Sequence, residues 1–186
     1  MRAQSRSARA LGLVLEVARV RGAETRLLDL HVAELPMFRP ATKHAVESLR
    51  EATEAVNWAE VFVLASPDYH GSMTGAMKNF LDHYWTEFGG KLFGYLCASH
   101  EKGLTAMDQM RTAVRQCYGW SMPYGVAFSP DEDFDAALNV TNPTVTKRLD
   151  MLARDLVIYG TALRDQFQSD LRSDDADTFV ARYRKK

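Results

Sequence analysis

The sequence has 186 residues, enough for one domain with a sizeable core. Hydrophobic residues make up 46% and charged residues 25%, and the formal net charge of −1 gives no electrostatic basis for binding nucleic acid or an anionic membrane. No apolar run reaches the length of a bilayer span. The expected setting is the cytoplasm, with Cys97 and Cys117 as core thiols rather than a disulfide framework.

Residues 2–7, RAQSRS, are polar and precede an amphipathic helix with Leu11, Val14, Leu15 and Ala18 on its apolar face and Gly22 as its stop. Basic residues before an apolar stretch imitate a secretory leader, but Glu16 and Arg19 interrupt the pattern. A helix start bearing serines offers free N–H groups, hydroxyls and a positive dipole end, which suits a phosphate. A plain N-cap serine is the competing reading. Glu24 to Leu30 reads as a short strand, 31–41 with Pro36 and Pro40 as a loop, and Thr42 to Asn57 as a helix with Val46, Leu49, Thr53 and Val56 on one face.

Val61 to Ala65 is a continuous apolar run without polar alternation, the pattern of a strand buried on both faces, and Ser66 and Pro67 are expected to end it. Asp68 to Ser72 forms a polar loop with one aromatic. Met77, Phe80, Leu81, Tyr84 and Phe88 then share one helical face. Glycines 89 and 90 stop that helix, and Lys91 to Ala98 is a second apolar strand. A polar loop, Ser99 to Gly103, leads to a helix from Leu104 to Trp120 and a strand from Met122 to Phe128. Ser129 to Val140 is irregular and acidic. Asn142-Pro143 opens a helix carrying Val145, Leu149, Leu152, Leu156 and Leu163, and a charged tail runs from Ser169 to Lys186. Phe179, Val180 and Tyr183 form either a short amphipathic turn or a partner contact. Strands recur about every thirty residues with a helix between, the spacing of βαβ units. The class is therefore α/β, and the loops after the strands are where such sheets bind ligands.

The stretch SPDYHGSMTGAMKNFLD resembles the S-P-E-Y-N-x-S-x-x-G-x-(L/F)-K-N-x-(L/I)-D signature of the NADPH-dependent FMN reductases. Ser66, Pro67, Tyr69, Ser72, Gly75, Lys78, Asn79 and Asp82 match, while Asp68 replaces Glu and His70 replaces Asn. Near the start, Arg2, Ser5, Ser7 and, more loosely, Arg9 are similar to that family's phosphate loop. The resemblance implies one flavodoxin-like domain over residues 1–186, with a doubly wound parallel sheet in three α/β/α layers. The family's phosphate loop follows a first apolar strand. That strand is interior in a sheet ordered 2-1-3-4-5, and it is missing here before Arg2. Its loss leaves two neighbours unpaired, so the natural start is expected about ten residues upstream, the length of a strand and its turn.

The resemblance implies FMN held by three loops. Arg2, Ser5 and Ser7 take the phosphate. Pro67, Asp68, Tyr69, His70, Gly71 and Ser72 line the ring, and Ser99, His100 and Gly103 close the pyrimidine side. NADPH (or NADH) is the implied reductant and a quinone, azo compound, free flavin or metal oxyanion the acceptor, in a ping-pong cycle without a catalytic side chain. An electron-carrier module without NAD(P)H oxidation is the alternative, although such carriers are more acidic. Asp68 as the phosphoacceptor of a signalling receiver lacks its acidic pair and its lysine. The histidines show no metal-ligand spacing, so no metal is expected. A homodimer or homotetramer is implied by the family, and the aromatics Phe80, Tyr84, Trp85 and Phe88 suggest a partner surface.

Overall fold

The computed structural model describes residues 5–40 and 46–183. Arg2 and the expected helical residues 42–45 lie outside them. The first helix, α1 (Arg6–Val20), begins at Ser5, whose Oγ accepts the Ala8 N–H at 3.3 Å. Ala10, Val14 and Ala18 bury its face. Gly22, at φ 89°, donates its N–H to the Arg19 carbonyl at 2.9 Å and ends the helix in the left-handed conformation that glycine adopts without a Cβ penalty. Leu11 and Leu15, expected on the buried face, are only half-buried.

The expected strand from Glu24 to Leu30 is not formed. The segment is extended but has no ladder, and its last residue opens a one-turn helix, α2 (Leu30–Ala33). An extended segment becomes a strand only when a neighbour takes its N–H and C=O groups, and none of the described residues lies there to do so. Helix α3 (Glu47–Trp58) follows and buries Leu49, Ala52 and Val56.

Strand β1 (Val61–Pro67) pairs in parallel with β2 (Leu92–Ala98), from Val61 opposite Leu92 to Pro67 opposite Ala98. The ladder therefore runs two residues past Ala65. Pro67 lacks an N–H, but Asp68 donates to the Ala98 carbonyl at 2.8 Å and continues the pairing. On the other edge of β2 lie β3 (Trp120–Ser121) and β4 (Val126–Phe128), both parallel to it. Of the strand expected from Met122 to Phe128 only its last three residues form β4, while β3 lies before it, where the helix expected to reach Trp120 has already ended. Pro123, with no N–H to give, sits in the break. Every residue of β2 is buried, as a central parallel strand requires.

Helix α4 (Gly75–Asp82) is shorter than expected. The chain turns at His83 to Trp85, where Glu87 Oε2 accepts the Trp85 N–H at 2.8 Å, and a 3₁₀ turn, Thr86–Phe88, follows. The turn still delivers Phe88 to the core beside Met77, Phe80, Leu81 and Tyr84. Three of the four aromatics expected to meet a partner, Phe80, Tyr84 and Phe88, are thus buried within this chain, and only Trp85 is exposed. Helix α5 (Leu104–Gln116) also stops short of Trp120. A Cβ on Gly119 would lie 2.6 Å from Val114 Cγ1 and 2.8 Å from the Phe93 ring, so the close passage that turns the chain into β3 needs glycine.

Helix α6 (Pro143–Arg172) is capped by Asn142, whose Oδ1 accepts the Thr144 N–H at 2.9 Å, and it extends past Ser169 into the expected tail. A last helix, α7 (Phe179–Tyr183), buries Val180 and lays Phe179 and Tyr183 against Tyr118, with ring centroids 4.9 Å apart in both pairs. The amphipathic-turn reading of that segment is the one observed. The two hydrophobic cores lie on opposite faces of the sheet, one under α3, α4 and α5, the other under α1 and α6. This is a three-layer α/β/α arrangement.

Candidate active site

The carboxyl ends of the strands stand in register, which brings the loops after them together. Asp68 donates its N–H to Ala98, and Ser99 donates its own to the Phe128 carbonyl at 3.0 Å. The residues just past β1, β2 and β4 are therefore neighbours on one edge, where open α/β sheets bind their ligands.

The loop after β1 is a tight turn. Tyr69 and Ser72 exchange backbone bonds of 3.0 and 3.2 Å, and the two residues between them, His70 at φ 58° and Gly71 at φ 73°, are both left-handed. Positive φ at both centres is the type I′ pattern. Asparagine tolerates it better than histidine, so His70 in the family's asparagine position carries a small conformational cost. The turn leaves Tyr69, His70 and Gly71 exposed. Below it, the buried Ser66 hydroxyl accepts the Thr74 N–H at 3.0 Å and donates to the Pro67 carbonyl at 2.9 Å, folding the loop back to the cap of α4. From α5, Gln109 accepts a bond from Ser72 Oγ at 2.7 Å and donates Nε2 to the Gly71 carbonyl at 3.3 Å. Gln109 thus holds the turn from across the site, a role with no signal in the sequence.

Asn79, in the matched motif, works elsewhere. Its Oδ1 accepts the Phe38 N–H at 2.8 Å and its Nδ2 donates to the Pro36 carbonyl at 3.0 Å, which ties the Pro36 loop to α4.

The loop after β2 is fixed by Ser99 and Gly103, both buried, while His100 is exposed. Ser99 Oγ donates to Asp68 Oδ2 at 3.3 Å and accepts the Glu101 N–H at 3.1 Å. Gly103, at φ 59°, caps α5, and a Cβ there would lie 2.7 Å from Cys97 Sγ. Burial pushes the Cys97 thiol up to about 12, with the Asp68 carboxylate adding to the shift. At neutral pH it stays a protonated core thiol.

The start of α1 joins this edge. Arg6 lies 3.7 Å and His100 3.8 Å from opposite oxygens of Asp131, in the loop after β4. Arg6 Nε is buried without a hydrogen-bond partner. An unpartnered guanidinium nitrogen at a helix N-terminus, between the hydroxyls of Ser5 and the buried Ser7, has the donor chemistry that a phosphate monoester accepts. These residues fit the phosphate of FMN. Sequence reasoning named Ser5 and Ser7 but missed Arg6 and Asp131, because their juxtaposition spans the whole sheet.

The sequence profile of the NADPH-dependent FMN reductases matches residues 1–133. An NADPH azoreductase of Bacillus sp. strain OY1-2 is 30% identical over 104 residues, 54% of this chain, and the chain spans 58% of that relative's length. Among solved structures, FerB, a flavoenzyme NAD(P)H:(acceptor) oxidoreductase from Paracoccus denitrificans, superposes with a TM-score of 0.73 at 20% identity, covering 87% of this chain and 93% of FerB. A flavodoxin of Streptococcus pneumoniae TIGR4 gives 0.59 at 12% identity, covering 85% and 94%. The fold is flavodoxin-like. With a profile that matches well over half of its length, the chain belongs to the NADPH-dependent FMN reductase family.

Proposed function

We propose that the chain is an FMN-dependent NAD(P)H oxidoreductase that serves a small second acceptor, a quinone, azo compound, free flavin or metal oxyanion. The observation that carries this reading is the meeting of three loops at one sheet edge, with the unpartnered Arg6 Nε at the helix start. FMN, when bound, supplies the hydride and electron chemistry. The residues of the chain position it. Ser5, Arg6 and Ser7 hold the phosphate, the turn from Tyr69 to Ser72 lines the ring, and Ser99 and Gly103 shape the pyrimidine side. No side chain here is assigned a proton-transfer role. The reading includes a ping-pong cycle, in which NAD(P)H would leave oxidised before the acceptor is reduced.

The test is an absorbance spectrum of the protein with FMN, before and after anaerobic NADPH. Bleaching by NADPH supports the oxidoreductase. Bleaching by dithionite alone makes the protein an electron carrier.

The phosphate assignment has its own test. Charge-assisted hydrogen bonds contribute about 1.5–3 kcal/mol, so Arg6→Met is expected to weaken FMN binding roughly 10- to 100-fold while leaving riboflavin, which has no phosphate, unaffected. Ser5→Gly keeps the helix start within a few tenths of a kcal/mol and is expected to shift FMN affinity in the same direction. Equal losses for FMN and riboflavin would remove both residues from the phosphate site. The reading includes assembly as a homodimer or homotetramer, supported by the exposed Trp85 stacked beside Tyr118 and tested by light scattering, and a cytoplasmic location, tested by fractionation. Among the described residues no helix is long and apolar enough to cross a membrane.

A further inference from the structure

The loop after β4 has its own scaffold. Asp133 Oδ2 accepts the Ser129 N–H at 2.7 Å, its Oδ1 accepts from Asn142 Nδ2 at 2.7 Å, and its carbonyl accepts the Thr141 N–H at 2.9 Å. Phe134 is buried, with its ring 5.3 Å from that of Phe128. These contacts close the loop on itself and on the cap of α6. Asp131 takes no part in them. Its side chain is 66% exposed and reaches from the loop toward the start of α1.

There it meets side chains from two other parts of the chain. Asp131 Oδ1 lies 3.7 Å from Arg6 Nη2, and Oδ2 lies 3.8 Å from His100 Nε2. Both separations exceed a hydrogen bond, so the carboxylate brings charge to this corner without fixing the direction of either side chain. That charge has a use. A helix N-terminus favours a negative group, yet α1 has no acidic residue in its first turn. Its cap, Ser5, is neutral, and Arg6 adds a positive charge at the same end. Asp131 supplies the missing anion from a distant loop. It does not saturate the corner, because Arg6 Nε stays buried and unpartnered with Asp131 in place.

We propose that Asp131 is a resident counter-ion that stands in for the ligand's phosphate. It steadies Arg6 and the start of α1 in the ligand-free chain, and it opposes the phosphate of a bound ester. The proposal rests on the phosphate assignment made above. A monoester dianion at Arg6 Nε and the hydroxyls of Ser5 and Ser7 brings up to two charges to the helix end that Asp131 serves with one. The carboxylate is then redundant there, and the like charges repel. Nothing in the loop has to break for Asp131 to yield, since the loop's own bonds run through Asp133. Asp131 therefore holds affinity for a phosphate ester below what Arg6 and the serines alone would give, and leaves a ligand without phosphate untouched. It sets how far the site prefers FMN to riboflavin.

Asp131→Asn keeps the shape of the side chain and removes its charge, and the proposal gives stability and binding opposite signs. Thermal unfolding of the ligand-free variant is expected to show a midpoint lower by about 1–3 °C, the loss of one favourable charge at a helix end. Fluorescence titration is expected to show FMN bound about 3- to 10-fold more tightly, an exposed charge acting on a doubly charged group. Riboflavin affinity is expected to stay the same, and the gain for FMN to shrink at about 0.5 M salt. FMN binding that is unchanged or weaker overturns the proposal, since Asp131 then either stands by or orients Arg6. A ligand-free midpoint that does not fall overturns it, as does an equal gain for FMN and riboflavin. Arg6→Met, titrated alongside, separates this proposal from the reading beneath it. If Arg6→Met weakens FMN selectively while Asp131→Asn does not tighten it, only the role of Asp131 falls. If Arg6→Met costs FMN and riboflavin equally, the phosphate assignment falls and the counter-ion with it.

Discussion

Phe88→Ala is expected to destabilise the fold by about 3–5 kcal/mol, the range for removing a large aromatic from a packed core. Phe88 is fully buried. Its ring lies 5.1 Å from Phe93, 5.4 Å from Phe62, 5.5 Å from Tyr84 and 6.1 Å from Phe80, centroid to centroid. These partners come from β1, β2 and the segment around α4, so the ring joins three parts of one core. Little can collapse into the space, because its neighbours are rigid rings held on strands and a helix. At about 2–4 °C per kcal/mol for a domain of this size, the midpoint should fall by roughly 10 °C. Thermal unfolding followed by circular dichroism reads this directly. A shift of a degree or two would mean that the cluster is looser than its geometry indicates.

Gly103→Ala is expected to act on both stability and the site. The left-handed φ of 59° costs a residue with a Cβ about 1–2 kcal/mol. The new atom would also meet Cys97 Sγ at 2.7 Å, Cys97 Cβ at 3.0 Å and Ser99 Cβ at 3.3 Å. Cys97 is fully buried on β2, so overpacking adds about 1–3 kcal/mol. The sum is roughly 2–5 kcal/mol. Relief comes most easily by lifting the loop from Ser99 to Gly103, and that loop carries the hydroxyl bonded to Asp68. FMN affinity is therefore expected to fall by about tenfold or more under conditions where the variant is still folded, each 1.4 kcal/mol of lost contact being a factor of ten. Chemical denaturation and flavin fluorescence titration separate the two effects. Unchanged FMN affinity in a destabilised but folded variant would take this loop out of the binding site.

Much of the architecture was legible because its signals are local. The apolar run from Val61, the buried run from Leu92, the capping Asn142-Pro143 and the glycine stop at Gly22 each write their element within a few residues. The motif from Ser66 to Asp82 marked the loop after β1, and the serines at the start marked the first turn of α1, as the parts of the proposed site that are local in sequence. Errors gathered where local pattern and tertiary partner disagree. Residues 24–30 have strand-like composition but lack a ladder. The aromatic face from Met77 to Phe88 reads as one helix, yet the chain breaks it at Trp85 and still buries Phe88. Leu104 to Trp120 keeps helical periodicity until Gly119 lets the backbone pass close to Phe93.

The class of fold, the order of most elements and the family were readable from the sequence, since these depend on periodicity, turn chemistry and a contiguous motif. Only the tertiary structure decided that Gln109 steadies the turn at Tyr69 and that Arg6 and His100 share Asp131. These depend on residues tens of positions apart in the chain, and the parallel sheet makes them neighbours by aligning the carboxyl ends of its strands on one edge.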